Sequence, residues 1–378
     1  EQLLSNSAMA NFSSKAKSIA SAISIDYAVL IICCGLAAML VVFFLLLIEP
    51  LVFLRADILM WEETDFIGNV IKLNIGTPLY TSPSDSNSMI YNPLSFLVTY
   101  AVAWPLGLTR SIPALRVIQL VYVAMAAAIA TNCVRRVYRL AFPDRALRFP
   151  QTWKVLTFLA LFLAATSPYV NRFVYTLHVD GLSLLISMIS IWTMLLYAEN
   201  KSARSLILMS ICPALGFLTK QFLISWIGVI FVFLFLLDPK DLKRLGFFLL
   251  LSVGFVIMGF GVCYALWGDN YLFWTVEIMG KRKEIAFSPD SYNISIARGI
   301  DHIIRAWPEI FVGIVGGWVV LKWGDSRRVA PLIAAWVALI ASEGFSSAAG
   351  WSVLYHFGPG VLIGAVFMFA ALPQIWEI

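Results

Sequence analysis

Residues 57–93 read DILMWEETDFIGNVIKLNIGTPLYTSPSDSNSMIYNP and lie between long apolar runs. Asp57, Glu62, Glu63 and Asp65 fall within nine positions around Trp61. Phe66, Val70, Ile71 and Ile75 then recur at helical spacing, which predicts a short amphipathic helix with the acids in its first turns. Gly76 and Pro78 end that helix. Tyr80, a Ser/Asp/Asn loop and Tyr91-Asn92-Pro93 follow, and there apolar sequence resumes. Carboxylates held just outside a bilayer are costly unless they are solvated or used, so this stretch organises the reading of the rest.

The flanking runs set the fold class. Of 378 residues, 60% are hydrophobic and 13% charged, and mean hydropathy is +0.85. Many apolar runs reach the ~17–25 residues of a spanning helix, so the chain reads as one all-α, polytopic membrane domain over 1–378, without a soluble domain or repeat array. The formal charge is +5. Cys33, Cys34, Cys133, Cys212 and Cys263 lie in or beside apolar runs without metal-ligand spacing, and no structural disulfide is expected. Residues 1–26, with Lys15 and Lys17, read as a basic approach helix on the inner surface rather than a cleavable signal.

The first span is 27–53, and 54–92 is the first outer loop. Arg135, Arg136, Arg139, Arg145 and Arg148 form the strongest basic cluster, which the positive-inside rule makes cytoplasmic. Residues 93–108, short and carrying Pro105, then dip in and return as a half-helix. Counting on gives spans near 112–133, 153–169, 179–197, 205–219, 222–237, 246–266, 309–321, 329–346 and 352–372, about ten in all. A long outer loop covers 267–308. The absence of an inverted repeat weighs against the common secondary transporter folds.

On that count the polar motifs share one outer face. An acid of 57–65 can serve as a general base, or the helix can simply present solvated charge. His178 and Asp180, two apart, would not share a helix face, and Asp180 alternatively caps the helix that follows. Lys220 interrupts apolar sequence, either as a snorkelling lysine or as a phosphate contact. Lys281, Arg282 and Lys283, then Arg298 and Arg305, run against the positive-inside bias and fit phosphate at headgroup level, with or without catalysis. Glu343, Tyr355 and His356 flank the last outer turn. The sequence contains no Walker A, GxGxxG, HExxH or GxSxG in a suitable context, so nucleotide-driven chemistry has no visible machinery.

Taken in order, these elements form a pattern. A first span leads to an acidic helix, Gly76-x-Pro-Leu-Tyr80, Tyr91-x-Pro-Leu94, a His178-x-Asp180 opening, Leu-Thr-Lys220-Gln closing a span, and a late Tyr355-His356 turn. The pattern resembles the integral-membrane C-type (GT-C) glycosyltransferases that use polyprenyl-phosphate sugars, over roughly 27–360. It is most similar to the bacterial mannosyltransferase-like and aminoarabinose-transferase-like branches. The resemblance puts the catalytic acid on Glu63, with Glu62, Asp65 and Asp57 as rivals, where the family more often has aspartate. It matches Lys220 to the lysine of a Thr-Lys-Gln element, and His178 to a position often held by Arg. Many relatives carry a further soluble domain that this sequence lacks or has lost to truncation.

The resemblance implies transfer of a sugar from a polyprenyl-phosphate donor to a lipid, glycan or cell-envelope acceptor, at the extracytoplasmic face of a multi-pass protein in the cell membrane. No nucleic acid is involved, no cofactor is demanded, and a divalent metal and protein partners stay open. The alternative is a non-catalytic GT-C-like subunit or scaffold, favoured by His in place of Arg and by the missing domain. A transporter would need charges deep in several spans, and most charges here lie at span ends.

Overall fold

The computed structural model describes residues 61–85, 88, 90–145, 150–166, 176–286, 288, 292–348 and 357–375, with scattered positions between 31 and 45. Most of the first span and all of the approach helix lie outside the described residues. The secondary structure of the described residues is all helix, without strands: α1 Trp61–Ile75, α2 Leu94–Ala103, α3 Ile112–Ala141, α4 Pro150–Ala165, α5 Asp180–Asn200, α6 Ala203–Thr219, α7 Trp226–Leu237, α8 Leu242–Leu272, α9 Ile278–Ala286, α10 Tyr292–Arg305, α11 Trp307–Trp323, α12 Ser326–Ala348 and α13 Gly358–Ile375.

Among these, α3, α5, the run from α8 to Lys281, α12 and α13 are long and apolar enough to cross a bilayer. The pair α10–α11, bent by 62°, adds a sixth if counted as one span. The remaining apolar helices, α2 with its 3-10 extension, α4, α6 and α7 with its 3-10 lead-in, are shorter. The roughly ten spans read from the sequence are therefore not all separately long helices. Helix α2 and the 3-10 turn Trp104–Leu106 end at Gly107 with φ 67°. That is well short of the ~20 residues a crossing needs, as a half-helix would be.

The α1 helix forms where its pattern puts it. Phe66 and Val70 are fully buried, and Phe66 meets Phe96 of α2 edge-on at 4.9 Å. Gly76, at φ 74°, closes the helix in a conformation open to glycine. Ile75, however, is exposed. The buried stripe runs through Glu63, Asn69 and Lys72 as well as Phe66 and Val70, so polar groups face inward. Burial holds the Lys72 ammonium below its ordinary value, against the pull of Asp85 and Asp65.

Small residues bring the central helices together. Ala126, Ala127, Ala130 and Cys133 of α3 are all completely buried. Between α11 and α13, a Cβ on Gly316 would lie 2.3 Å from the Met368 nitrogen, so glycine is required by that approach. On the outside of the bundle, α8 exposes Leu250, Ile257, Met258, Val262 and Leu266, a lipid-facing surface for a spanning helix. Cys133, Cys212 and Cys263 are free and buried.

Residues 267–308 are not an open loop. Helix α8 runs on past Trp267, kinks at Gly268 (φ 57°, ψ −140°), and continues through a π-helical turn Phe273–Glu277 into α9. The amphipathic α10 follows. The polar composition that suggested a loop instead marks helices outside the most apolar sequence. They contain good helix formers such as Met279, Lys281 and Glu284 and no proline in either α9 or α10.

Candidate active site

The segment between α1 and α2 is held by side-chain hydrogen bonds rather than by secondary structure. Lys72 Nζ donates to the Leu79 carbonyl at 3.3 Å, and the Tyr80 hydroxyl donates to the Tyr91 carbonyl at 2.7 Å. Asn92 Nδ2 donates to the Phe217 carbonyl of α6 at 2.6 Å, and Asn92 Oδ1 accepts from the Tyr271 hydroxyl of α8 at 2.8 Å. Gln221 Nε2 donates to the carbonyls of Ile90 and Thr275, and Trp274 Nε1 donates to that of Thr81 at 2.8 Å. The segment is therefore fastened to the end of α6 and to the π turn. Helical irregularities of this kind often accompany functional sites.

Against this segment lies a buried charged cluster. Helix α6 stops because Lys220 is extended (φ −150°, ψ 117°), and a 3-10 turn, Gln221–Ser225, carries the chain into α7. Lys220 Nζ lies 2.6 Å from Asp180 Oδ1, and His178 Nδ1 lies 2.6 Å from Asp180 Oδ2. All three residues are buried. Tyr91 packs edge-on against His178 with ring centres 5.3 Å apart. Lys220 Nζ lies 6.0 Å from the Tyr91 ring centre and 5.6 Å from that of Phe222, within cation–π range.

His178 and Asp180 thus do meet, contrary to the expectation from helical spacing. The reason is local: residues 176–179 form a bend, and α5 starts only at Asp180, so the helix-face rule does not apply to His178. Asp180 is the first residue of the helix, with Val179 at the cap position, and its side chain is spent on His178 and Lys220 rather than on a cap.

Glu63 lies beside this cluster with its carboxylate already occupied. Arg116 of α3 grips it with two bonds, Nε to Oε1 at 2.8 Å and Nη2 to Oε2 at 2.6 Å. The Leu177 backbone N–H adds a third bond to Oε1 at 3.0 Å. Side-chain exposure is 0% for Arg116 and 1% for Glu63, so the pair is fully dehydrated. Arg116 was absent from the sequence reading. The signal that could have revealed it is a charged residue five positions into an apolar run.

The other expected site residues are more dispersed. Asp65 is exposed on α1, and its carbonyl accepts from Asn69 Nδ2 at 2.9 Å. Lys281 is exposed on α9, and Arg298 is half-buried on α10. Arg305 is exposed and pairs with Asp301 at 2.9 Å, one helical turn away. Glu343 is buried, and its Oε1 accepts from the Gly360 N–H of α13 at 3.1 Å. Asp57, Tyr355 and His356 lie outside the described residues, as do the side chains of Glu62, Arg282 and Lys283. Among the described residues, no three His, Cys, Asp or Glu side chains gather as metal ligands.

Comparison with known proteins bears on this arrangement. The sequence model of the family described as dolichyl-phosphate-mannose-protein mannosyltransferase matches residues 147–264, about a third of the chain. The match takes in His178, Asp180 and Lys220 and leaves out α1. No curated protein matches the sequence. Two solved structures from Archaeoglobus fulgidus share the fold. One is its oligosaccharyltransferase in the apo form, with 15% identity, a TM-score of 0.57, and coverage of 93% of this chain and 51% of that one. The other is the oligosaccharyltransferase AglB in complex with an inhibitory peptide and a dolichol-phosphate, with 15% identity, a TM-score of 0.51 and the same coverage. The chain spans about half the length of these structures. By fold it is a multi-pass α-helical membrane protein similar to these oligosaccharyltransferases.

Proposed function

We propose that the chain is a membrane glycosyltransferase that moves a sugar from a polyprenyl-phosphate donor to a lipid, glycan or cell-envelope acceptor, with its active face extracytoplasmic. The observation that carries this reading is the Asp180–Lys220–His178 cluster, buried at a helix break under Tyr91 and within the segment matched by the mannosyltransferase family. The AglB structure, solved with a dolichol-phosphate, supports the donor class.

The chemistry follows from charge. An acid of the 57–65 stretch takes the proton of the acceptor hydroxyl. The oxygen attacks the anomeric carbon from the face opposite the phosphate, the carbon–oxygen bond to phosphate breaks, and the configuration inverts. Negative charge grows on the departing polyprenyl phosphate. Lys220, already fixed in a low-dielectric setting, stabilises it without reorganisation, an effect worth roughly 10²–10³-fold in rate for one such donor. A phosphate leaving group needs little protonation, so no general acid is required. Lys281, Arg282, Lys283, Arg298 and Arg305 hold the donor at headgroup level before and after transfer.

The test is transfer of radiolabelled sugar from polyprenyl-phosphate hexose donors in proteoliposomes containing the full chain. Lys220→Met and Asp180→Asn should each lower transfer at least ~100-fold while the protein still extracts as a monodisperse species. If both variants transfer at the wild-type rate, the cluster is not the site. If the wild-type chain transfers no sugar from any polyprenyl donor, the non-catalytic scaffold reading takes its place.

A further inference from the structure

We propose that Glu63 is not the proton acceptor but a positioning residue, locked by Arg116 so that its carboxylate holds the Leu177 amide and thereby sets the His178–Asp180 turn against Lys220. The kinetic arm of this proposal rests on the transferase reading; its structural arm does not.

Three donors converge on the Glu63 carboxylate: Nε and Nη2 of Arg116, and the backbone N–H of Leu177. A carboxylate offers about four lone-pair positions, and the bidentate arginine grip is the strongest and most directional of its bonds. A general base has to reach the proton it abstracts with a lone pair. Three of those positions are taken and the Glu63 side chain is 1% exposed, so reaching a substrate proton would mean loosening the grip of Arg116. Breaking such a buried pair costs about 3–5 kcal/mol, which a base would have to supply on every turnover.

The connectivity gives the pair a different task. Glu63 opens α1, Arg116 lies 53 residues on in α3, and Leu177 lies 114 residues on in the bend before α5. One carboxylate therefore joins three elements that are otherwise distant in sequence. Leu177 is directly followed by His178, and Asp180 holds both His178 and Lys220. The same face of α3 supports the next residue too: a Cβ on Gly181 would lie 3.0 Å from Gln119 Oε1 and 3.3 Å from the Gln119 carbonyl. Position 116 thus fixes the turn through Glu63, and position 119 fixes it by close approach. The base role falls to another acid of the 57–65 stretch.

The experiment compares the full chain in liposomes with Glu63→Ala, Arg116→Met and the double variant E63Q/R116Q, which removes both charges and keeps two hydrogen-bonding amides. The first readout is acetylation of Lys220 by acetic anhydride, quantified by mass spectrometry against Lys281 as an exposed reference. Lys220 should be protected in the wild type, modified at least ~10-fold faster in the two single variants, and protected again in the double. The second readout is the pH–rate profile of sugar transfer. The double variant should keep at least about a tenth of the wild-type kcat and an unchanged acidic limb, because the titrating base is still present.

Lys220 protection that persists in a folded Glu63→Ala variant overturns the proposal. So does a double variant that protects Lys220 yet loses transfer and its acidic limb, since Glu63 would then be the base. Should the single variants fail to fold, the double alone decides, because a base at Glu63 forbids its activity. Should the wild type show no transfer, the transferase reading falls and the Lys220 readout still decides the positioning role.

Discussion

The molecule buries two charged clusters within a few residues of each other, and they are built differently. Glu63–Arg116 is a closed fork: two parallel hydrogen bonds, a third from the backbone, and both partners on helices. Asp180–Lys220–His178 is an open chain, in which each outer group makes a single bond to the carboxylate between them. Its lysine sits on extended backbone at a helix break, within cation–π range of the Tyr91 and Phe222 rings and within electrostatic reach of the buried Glu343 carboxylate. A planar guanidinium suits a fixed bidentate partner, whereas an ammonium is a point charge on a flexible stem that can change partners. The fork has the character of a fastening, and the chain has that of a site whose cation can turn from a carboxylate to a phosphate.

The largest expected effect separates the clusters directly. Lys220→Met leaves Asp180 buried without its cation, and a loss of about 3–5 kcal/mol in stability should accompany the loss of transfer. Adding Asp180→Asn should restore the melting temperature of the purified protein but not its activity, because the cation that meets the donor is gone. At the other cluster, neutralising both partners should restore melting temperature and activity together. Recovery of transfer in the D180N/K220M double variant would erase the distinction.

A smaller effect tests the seam on which both clusters rest. Gly181→Ala places a methyl group against Gln119, whose side-chain oxygen can shift but whose carbonyl is part of α3. The expected cost is about 1–3 kcal/mol, read as a lower melting temperature. The apparent KM for donor should rise more than kcat falls, since the turn is displaced and no reacting group is lost. An unchanged melting temperature would mean that α3 and α5 do not clamp the turn.

The contrast also explains how much could be read from the sequence. Hydropathy and the placement of Arg and Lys are properties of long stretches, so the all-α membrane fold was legible, as were the stops at Gly76 and Lys220. His178, Asp180 and Lys220 were singled out because each breaks an apolar pattern where a helix starts or ends. Their meeting was not legible, since it depends on a bend at 176–179 that has no turn signature. Arg116 was hidden for the opposite reason: one charge inside a long apolar run hardly changes its average, though its burial demands a partner. The helices after Gly268 were hidden by composition, because polarity alone does not separate a surface helix from a loop.

The smallest effect concerns how the first segment is held over the open cluster. Trp274, in the π turn, donates to the Thr81 carbonyl, while Asn92 and Gln221 fasten the same segment nearer Tyr91. Trp274→Phe removes one hydrogen bond and keeps an aromatic ring, for an expected cost of about 0.5–1.5 kcal/mol. The measurement is hydrogen exchange across residues 77–93, which should quicken, with Glu63 and Arg116 peptides unaffected. That asymmetry is the point of the variant. The fork joins α1, α3 and the bend before α5 and should not sense the segment, whereas the open cluster borrows Tyr91 from it and should. Equal acceleration at both clusters would show that they form one cooperative unit, and the division between fastening and site would not survive.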